Sequence, residues 1–199
     1  MKPETAIIMI SGPQGSGKTT IMKELKRRAG ESGENCTVHE LIFADTIYQI
    51  HDFAIKLLES RGIKRDIVKD GKLLQLLGTE WGRQTIDNDI WVKCLRGQIQ
   101  AIQENHKDGS NLLFLISDCR FRNEFDGIPE AFRVRLEASK EVRRARCSQW
   151  RENDTHPSEI DLDGYAAEKK FDLCVNTEAE LNDCVGFITD SFEDWLKSR

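Results

Sequence analysis

Residues 11–20 read Ser11-Gly12-Pro13-Gln14-Gly15-Ser16-Gly17-Lys18-Thr19-Thr20, between the apolar run Ala6–Ile10 (AIIMI) and a stretch of helical spacing that begins IMKELKRRAG. Three glycines within six positions are costly to order, and a lysine beside bare backbone returns no packing. The spacing Gly12-x-x-x-x-Gly17-Lys18-Thr19, set between strand and helix, has a purpose as an anion cradle. Glycines let successive backbone N–H groups turn inward, and the helix N-terminus adds its partial positive charge. Gly12, Gly15, Ser16, Gly17, Lys18, Thr19 and Thr20 are therefore expected to hold the phosphates of ATP. Lys18 reaches the β- and γ-phosphates, and the Thr19 hydroxyl is placed to coordinate Mg²⁺.

Working outward, short apolar runs at Ala6–Ile10, Val38–Phe43, Leu112–Ile116, Phe132–Leu136 and Leu173–Val175 read as buried strands. Helical spacing fills Lys18–Glu31, Asp45–Ser60, Ile67–Gly78, Ile90–Glu104, Ser139–Trp150 and Glu178–Lys197. Strands alternating with helices predict an α/β fold with a parallel five-stranded sheet covered on both faces. Ligands in such sheets bind beyond the carboxyl ends of the strands, so the loops after each run are where chemistry is expected. The polar stretch Glu152–Lys170 reads as a loop or a mobile lid.

The chain of 199 residues suits one domain with a full core, residues 1–199. Apolar residues make up 39% and charged residues 32%, and no run nears the ~18 apolar residues of a membrane span. Neither a signal peptide nor a membrane partner is expected, which places the chain in the cytoplasm, the host's if it is phage-encoded. The six cysteines show no C-x-x-C pair, which argues against a zinc site and against a disulfide framework. A net charge of −5 argues against a grip on polymeric nucleic acid. Monomer and homodimer both fit the pattern.

Three further blocks follow the glycine-rich loop. One runs GKLLQLLGTEWGR from Gly71 to Arg83 and on to Asp87 and Trp91; a second is ISDCRFRNE, Ile116–Glu124; a third is DTHPSE, Asp154–Glu159. In this order the four blocks resemble those of the phage-type deoxynucleoside monophosphate kinases. That family shows a P-loop, an LGTD/E…W helix pair, a strand ending in D-x-R-x-x-x-E and a TH-x-(S/T)-E element. The closing VNTEAEL, Val175–Leu181, is similar to its last strand and helix. The resemblance implies a P-loop kinase fold, nucleoside monophosphate kinase-like and three-layered. It also implies ATP and Mg²⁺, and a small nucleotide as phosphate acceptor. An acceptor-binding helical region is expected near 45–95 and a lid near 139–165.

The residues agree with that chemistry. Asp118 stands where a parallel sheet delivers a carboxylate beside the P-loop, either for Mg²⁺ and the acceptor or as a helix cap. Arg120 suits the acceptor's phosphate, since guanidinium geometry matches phosphate oxygens, with a surface or ion-paired arginine as the alternative. Arg83, flanked by Trp81 and Trp91, reads as a phosphate ligand beside a stacked base, or as an ion-pair partner of Glu80 or Asp87 among core tryptophans. Asp45 reads as a nucleotide contact or an N-cap. Lys140–Arg151 holds five basic residues against one acidic. Arg143, Arg146 and Arg151 there are candidates for neutralising charge on the transferring phosphoryl group, with a solvated helix face as the alternative. Under the resemblance, His156 and Glu159 lie near the acceptor, along with Asp87 and Trp91.

Three other readings stay open. Animal-type phosphomevalonate kinases look similar in the same blocks. A related kinase acting on a hydroxymethylated base in DNA, or a nucleotide-dependent DNA-binding module, would show a small local groove and a steep salt dependence. A P-loop switch that transfers nothing would have little use for the arginine-rich segment.

Overall fold

Every residue of Ile7–Ile10 is buried, and alternate side chains fall into two separate cores. Ile7 and Met9 pack with Trp91, Leu95, Phe114, Ile116 and Phe125 on one face of the sheet. Ile8 and Ile10 pack with Ile21, Met22, Leu25, Val134, Leu136 and Val185 on the other. A strand covered on both faces has no polar side, which is why the run is unbroken. Each such side chain contributes about 1.5–3 kcal/mol on burial.

The computed structural model describes residues 4–33, 35–63, 70–148, 150 and 157–199. In chain order come β1 (Thr5–Ser11), α1 (Lys18–Glu31), β2 (Cys36–Leu41), α2 (Asp45–Ser60) and α3 (Gly71–Gln75). A π-helix (Leu76–Ile86), α4 (Ile90–Asn105), β3 (Asn111–Ile116), α5 (Arg122–Gly127) and β4 (Phe132–Glu137) follow. The chain closes with α6 (Lys140–Arg146), α7 (Pro157–Ile160), α8 (Asp163–Ala167), β5 (Leu173–Asn176) and α9 (Leu181–Lys197). The sheet order is β2-β3-β1-β4-β5, every pairing parallel, with Met9 opposite Ile116 and Ser11 opposite Arg135. β1 is thus central, and the loop leaving it is flanked by the ends of β3 and β4.

Two expectations need correction. The segment read as one helix, Ile67–Gly78, is over its described part α3 followed by the π-helix. Trp91 is the physical reason. Its indole lies against Gly82, where a Cβ would stand 2.3 Å from Cζ2, and its Nε1 donates to the Gly78 carbonyl at 2.8 Å. The Asp87 N–H bonds the Gly82 carbonyl five residues back at 3.0 Å, the spacing of a π-helix. The stretch expected to be a lid is partly core, since α8 follows Leu162, which is 2% exposed and packed under the sheet.

Gly82→Ala is expected to cost about 1–3 kcal/mol by overpacking against Trp91. Gly30→Ala, exposed within α1 with nothing within 4 Å of its Cβ position, should instead stabilise by up to about 1 kcal/mol. Denaturant unfolding of both variants reads the contrast.

Candidate functional site

The loop between β1 and α1 ties its carbonyls outward. Lys18 Nζ donates to the carbonyls of Gly12 (2.5 Å) and Pro13 (2.9 Å). Arg143 Nη1 donates to Gln14 O at 3.3 Å, and Thr177 Oγ1 to Ser16 O at 3.0 Å. Because a trans peptide is planar, the N–H groups of Gln14, Gly15 and Gly17 then point to the opposite side. Gly15 has φ +78°, and a Cβ there would meet the Arg143 carbonyl at 2.4 Å, so α6 packs directly on the loop. The Ser16 hydroxyl is buried without a hydrogen-bond partner among the described residues, an orphan donor that a bound anion would satisfy. Thr19 and Thr20 are exposed on the first turn of α1. Among the described residues no cluster of His, Cys, Asp or Glu could hold a metal alone. A Mg²⁺ site would therefore draw on Thr19 together with phosphate oxygens and water, since this ion keeps several waters and binds largely through substrate phosphates.

Two arginines of α6 support the loop, Arg143 directly and Arg146 through Thr177. Arg143 also donates from Nε to Ala138 O at 3.2 Å and lies 5.5 Å from the Trp150 ring centroid. Arg146 clamps Thr177, Nη1 to Oγ1 at 3.1 Å and Nη2 to the carbonyl at 2.8 Å. A cavity of about 350 Å³ opens beside Gly17, Thr20, Ile21, Arg146 and Thr177. A larger one, about 600 Å³, opens on the other side beside Pro13, Gln14, Arg135, Arg143 and Trp150.

At the end of β3, Asp118 accepts the N–H groups of Phe43 (2.8 Å) and Ala44 (3.1 Å), just before α2. It caps the approach to α2 instead of the helix that follows it. Burial pushes its carboxyl up, against those two N–H bonds and the nearby charge of Arg120. Arg120 has an exposed side chain, and its N–H donates to Glu124 Oε2 at 2.8 Å, as does that of Phe121 at 3.1 Å. The other oxygen of Glu124 takes Arg83 Nη2 at 2.5 Å, and both side chains are buried. The Arg83 guanidinium lies over Phe121, 4.1 Å from the ring centroid.

These positions correct several expectations. Trp91 is 1% exposed and belongs to the core, so it offers no stacking surface. Arg83 pairs with Glu124 and stacks on Phe121; neither Glu80 nor Asp87 is its partner. Asp87 is engaged at the start of α4, accepting the Asp89 N–H at 2.8 Å and the Lys93 ammonium. Asp45 accepts the side-chain amides of Gln49 (2.7 Å) and Gln98 (2.8 Å), tying α2 to α4; it is not the N-cap of α2, a position held by Ala44. Arg151, His156 and the side chain of Glu159 lie outside the described residues. Sequence reasoning gave no role to Glu124, Thr177 or Arg135. Glu124 and Thr177 sat inside quoted blocks, whereas an arginine within an apolar strand was the one available signal for Arg135.

Glu124 carries a testable consequence. Burial, and then the charge of Asp118, push its carboxyl from 4.5 to about 7, against Arg83 and the two N–H groups. Between those pH values the unfolded chain has released the proton and the folded one keeps it, so stability falls as pH rises. Glu124→Gln lacks this titration. From pH 4.5 to 7 the wild type should lose up to about 3 kcal/mol relative to the variant in urea unfolding. A difference independent of pH would return the carboxyl to its ordinary range.

No curated protein sequence matches the chain. In three dimensions it is similar to the APS kinase of Mycobacterium tuberculosis solved with AMPPNP and APS, at 14% identity and TM-score 0.53 over 96% of this chain and 99% of that one. It is similar to shikimate kinase from Aquifex aeolicus, at 14% identity and TM-score 0.53 over 94% and 96%. TT1252 from Thermus thermophilus gives 18% identity and TM-score 0.57 over 98% and 96%. At such identities the likeness is one of fold, and the fold, a parallel five-stranded sheet with a phosphate-type loop after its central strand, is that of the P-loop kinases. A family model described as an AAA domain matches residues 8–166, well over half of the length, so the chain belongs to that AAA domain family.

Proposed function

We propose that this chain transfers the γ-phosphoryl group of ATP to a deoxynucleoside 5′-monophosphate. The observation that carries the reading is that α6 brings two arginines to the P-loop, Arg143 directly on Gln14 O and Arg146 through Thr177, whose hydroxyl holds Ser16 O. A nucleotide switch has no need of two such cations, whereas phosphoryl transfer spreads negative charge that they offset. On this reading the amides of residues 14–19 and Lys18 hold the ATP phosphates. The cavity beside Gly17, Thr20 and Arg146 receives the nucleoside. Mg²⁺, held by Thr19 and reached through water by Asp118, would neutralise phosphate charge. Arg120 and Arg83 are proposed to meet the acceptor's phosphate, Arg83 by exchanging its Glu124 partner. Arg151, His156 and Glu159 remain candidates on the acceptor and lid side. No protein nucleophile is required, because positioning and charge neutralisation supply the catalysis.

Phosphomevalonate is the second reading, and one observation favours it. Trp91 lies in the core, which leaves Trp81, 40% exposed, as the one member of the pair able to stack on a base. The wording of LGTEWGRQ and THPSE still supports the nucleotide.

A coupled ADP-release assay decides between them. Its panel holds the four deoxynucleoside monophosphates, 5-modified pyrimidine monophosphates, ribonucleotides, phosphomevalonate and DNA with hydroxymethyl bases. Turnover of a deoxynucleoside monophosphate is expected, and activity confined to another acceptor would overturn the assignment. Lys18→Ala should lower kcat by about 10²-fold or more in a chain that still folds. Arg120→Met should raise the acceptor's KM far more than that of ATP; equal effects would remove Arg120 from the acceptor site.

A further inference from the structure

Strand β4 carries an arginine where its neighbours are apolar. Arg135 stands between Val134 and Leu136, both fully buried, and is itself 7% exposed. It lies in register with Ser11, the last residue of β1 before the P-loop. Its Nη1 donates to Ser11 Oγ at 3.2 Å and its Nη2 to Asp163 Oδ1 at 2.8 Å. Its Nε is buried and has no hydrogen-bond partner among the described residues. The single carboxylate paired with it among the described residues is Asp163, whose side chain is 58% exposed at the start of α8. Burying a guanidinium is unfavourable unless charge and donors are both matched, and here each is half matched.

The geometry of the unmatched half is specific. Nε and Nη2 form one edge of the guanidinium fork, the edge that grips two oxygens of a carboxylate or phosphate side by side. Asp163 takes one of the two donors and leaves the other open. Arg135 also forms part of the wall of the 600 Å³ cavity beside Gln14 and Arg143. Charge in that cavity is layered, with Arg135 buried and Arg143 half-buried, while Asp163, Glu137 and Glu178 are more open to water. Glu178 is already occupied by the Ser139 N–H at 2.7 Å. An anion entering the cavity would meet guanidinium inside and displace a carboxylate that water resolvates at the rim.

We infer that Arg135 is a phosphate-binding residue and that Asp163 holds its place. A phosphate monoester or anhydride takes both donors of the Nε–Nη2 edge, and Asp163 moves to solvent. The inference rests on the phosphotransferase reading for its purpose, since a cation beside Ser11 sits next to the P-loop. Its test does not depend on turnover.

The full-length chain is titrated calorimetrically with inorganic phosphate, in the wild type and in Arg135→Met, Asp163→Asn and Lys18→Ala. Two classes of phosphate site are expected in the wild type. Arg135→Met should weaken one class at least tenfold, Lys18→Ala should weaken the other, and Asp163→Asn should tighten the Arg135 class severalfold by removing its competitor. Binding by a folded Arg135→Met that equals the wild type, with Lys18→Ala removing all of it, would overturn the inference. Should Arg135→Met fail to fold, Asp163→Asn decides, and unchanged or weaker phosphate binding in it overturns the proposal. Phosphate held at Arg135 by a chain that turns over no deoxynucleoside monophosphate would sink the deoxynucleotide reading and leave this site standing.

Discussion

A loop can hold its amides open toward a ligand only if something else satisfies its carbonyls. In this chain that task falls to three side chains, one local and two from distant parts of the sequence: Lys18, Arg143 and Thr177. The carbonyls of Pro13, Gln14 and Ser16, fixed on the outside, set the direction of the next N–H on the inside. The phosphate-facing surface is therefore organised by the outward-facing one. Arg143 and Thr177 belong to α6 and to the turn after β5, so the β4–β5 half of the sheet sets the shape of a loop that grows from β1. Arg146 closes the arrangement by clamping Thr177.

Beyond the loop, the same face of the sheet collects ionisable groups that apolar packing would normally exclude. Asp118, Glu124, Arg83 and Arg135 are buried or half-buried within reach of the strand ends. Glu124 is the junction, joining Arg83 to the backbone of the turn that carries Arg120. Such networks cost desolvation and stabilise little by themselves. Their concentration beside a phosphate-type loop fits the tendency of perturbed carboxylates to gather where chemistry happens.

How much of this could be read from the sequence depended on distance along the chain. All five strands and the exact span of α1 and α2 were legible, because apolar runs and 3.6-residue spacing are local signals. The P-loop was legible for the same reason. What failed was long-range. Arg83 finds its carboxylate 41 positions away, and Asp118 satisfies N–H groups 74 and 75 positions back. Trp91 reads equally as stacking surface or core until Gly82 and Gly78 are seen to receive it. The partners of Asp45 and Asp87 were not legible because a short carboxylate near a helix start has many possible donors, and only packing decides which one it meets.

The central position of β1 also sets a timetable. Thr5 pairs with Leu112 and Ile8 with Phe132, so β1 has neither partner until β3 has been made. At a synthesis rate of about 5–20 residues per second, AIIMI would wait on the order of 5–20 seconds with both edges open. An apolar segment of high strand propensity, uncharged and without proline, is the kind that associates with its own copies in that interval. The arrangement that seats the P-loop at the middle of the sheet thus leaves newborn chains open to self-association, a burden borne during translation and absent from the finished molecule.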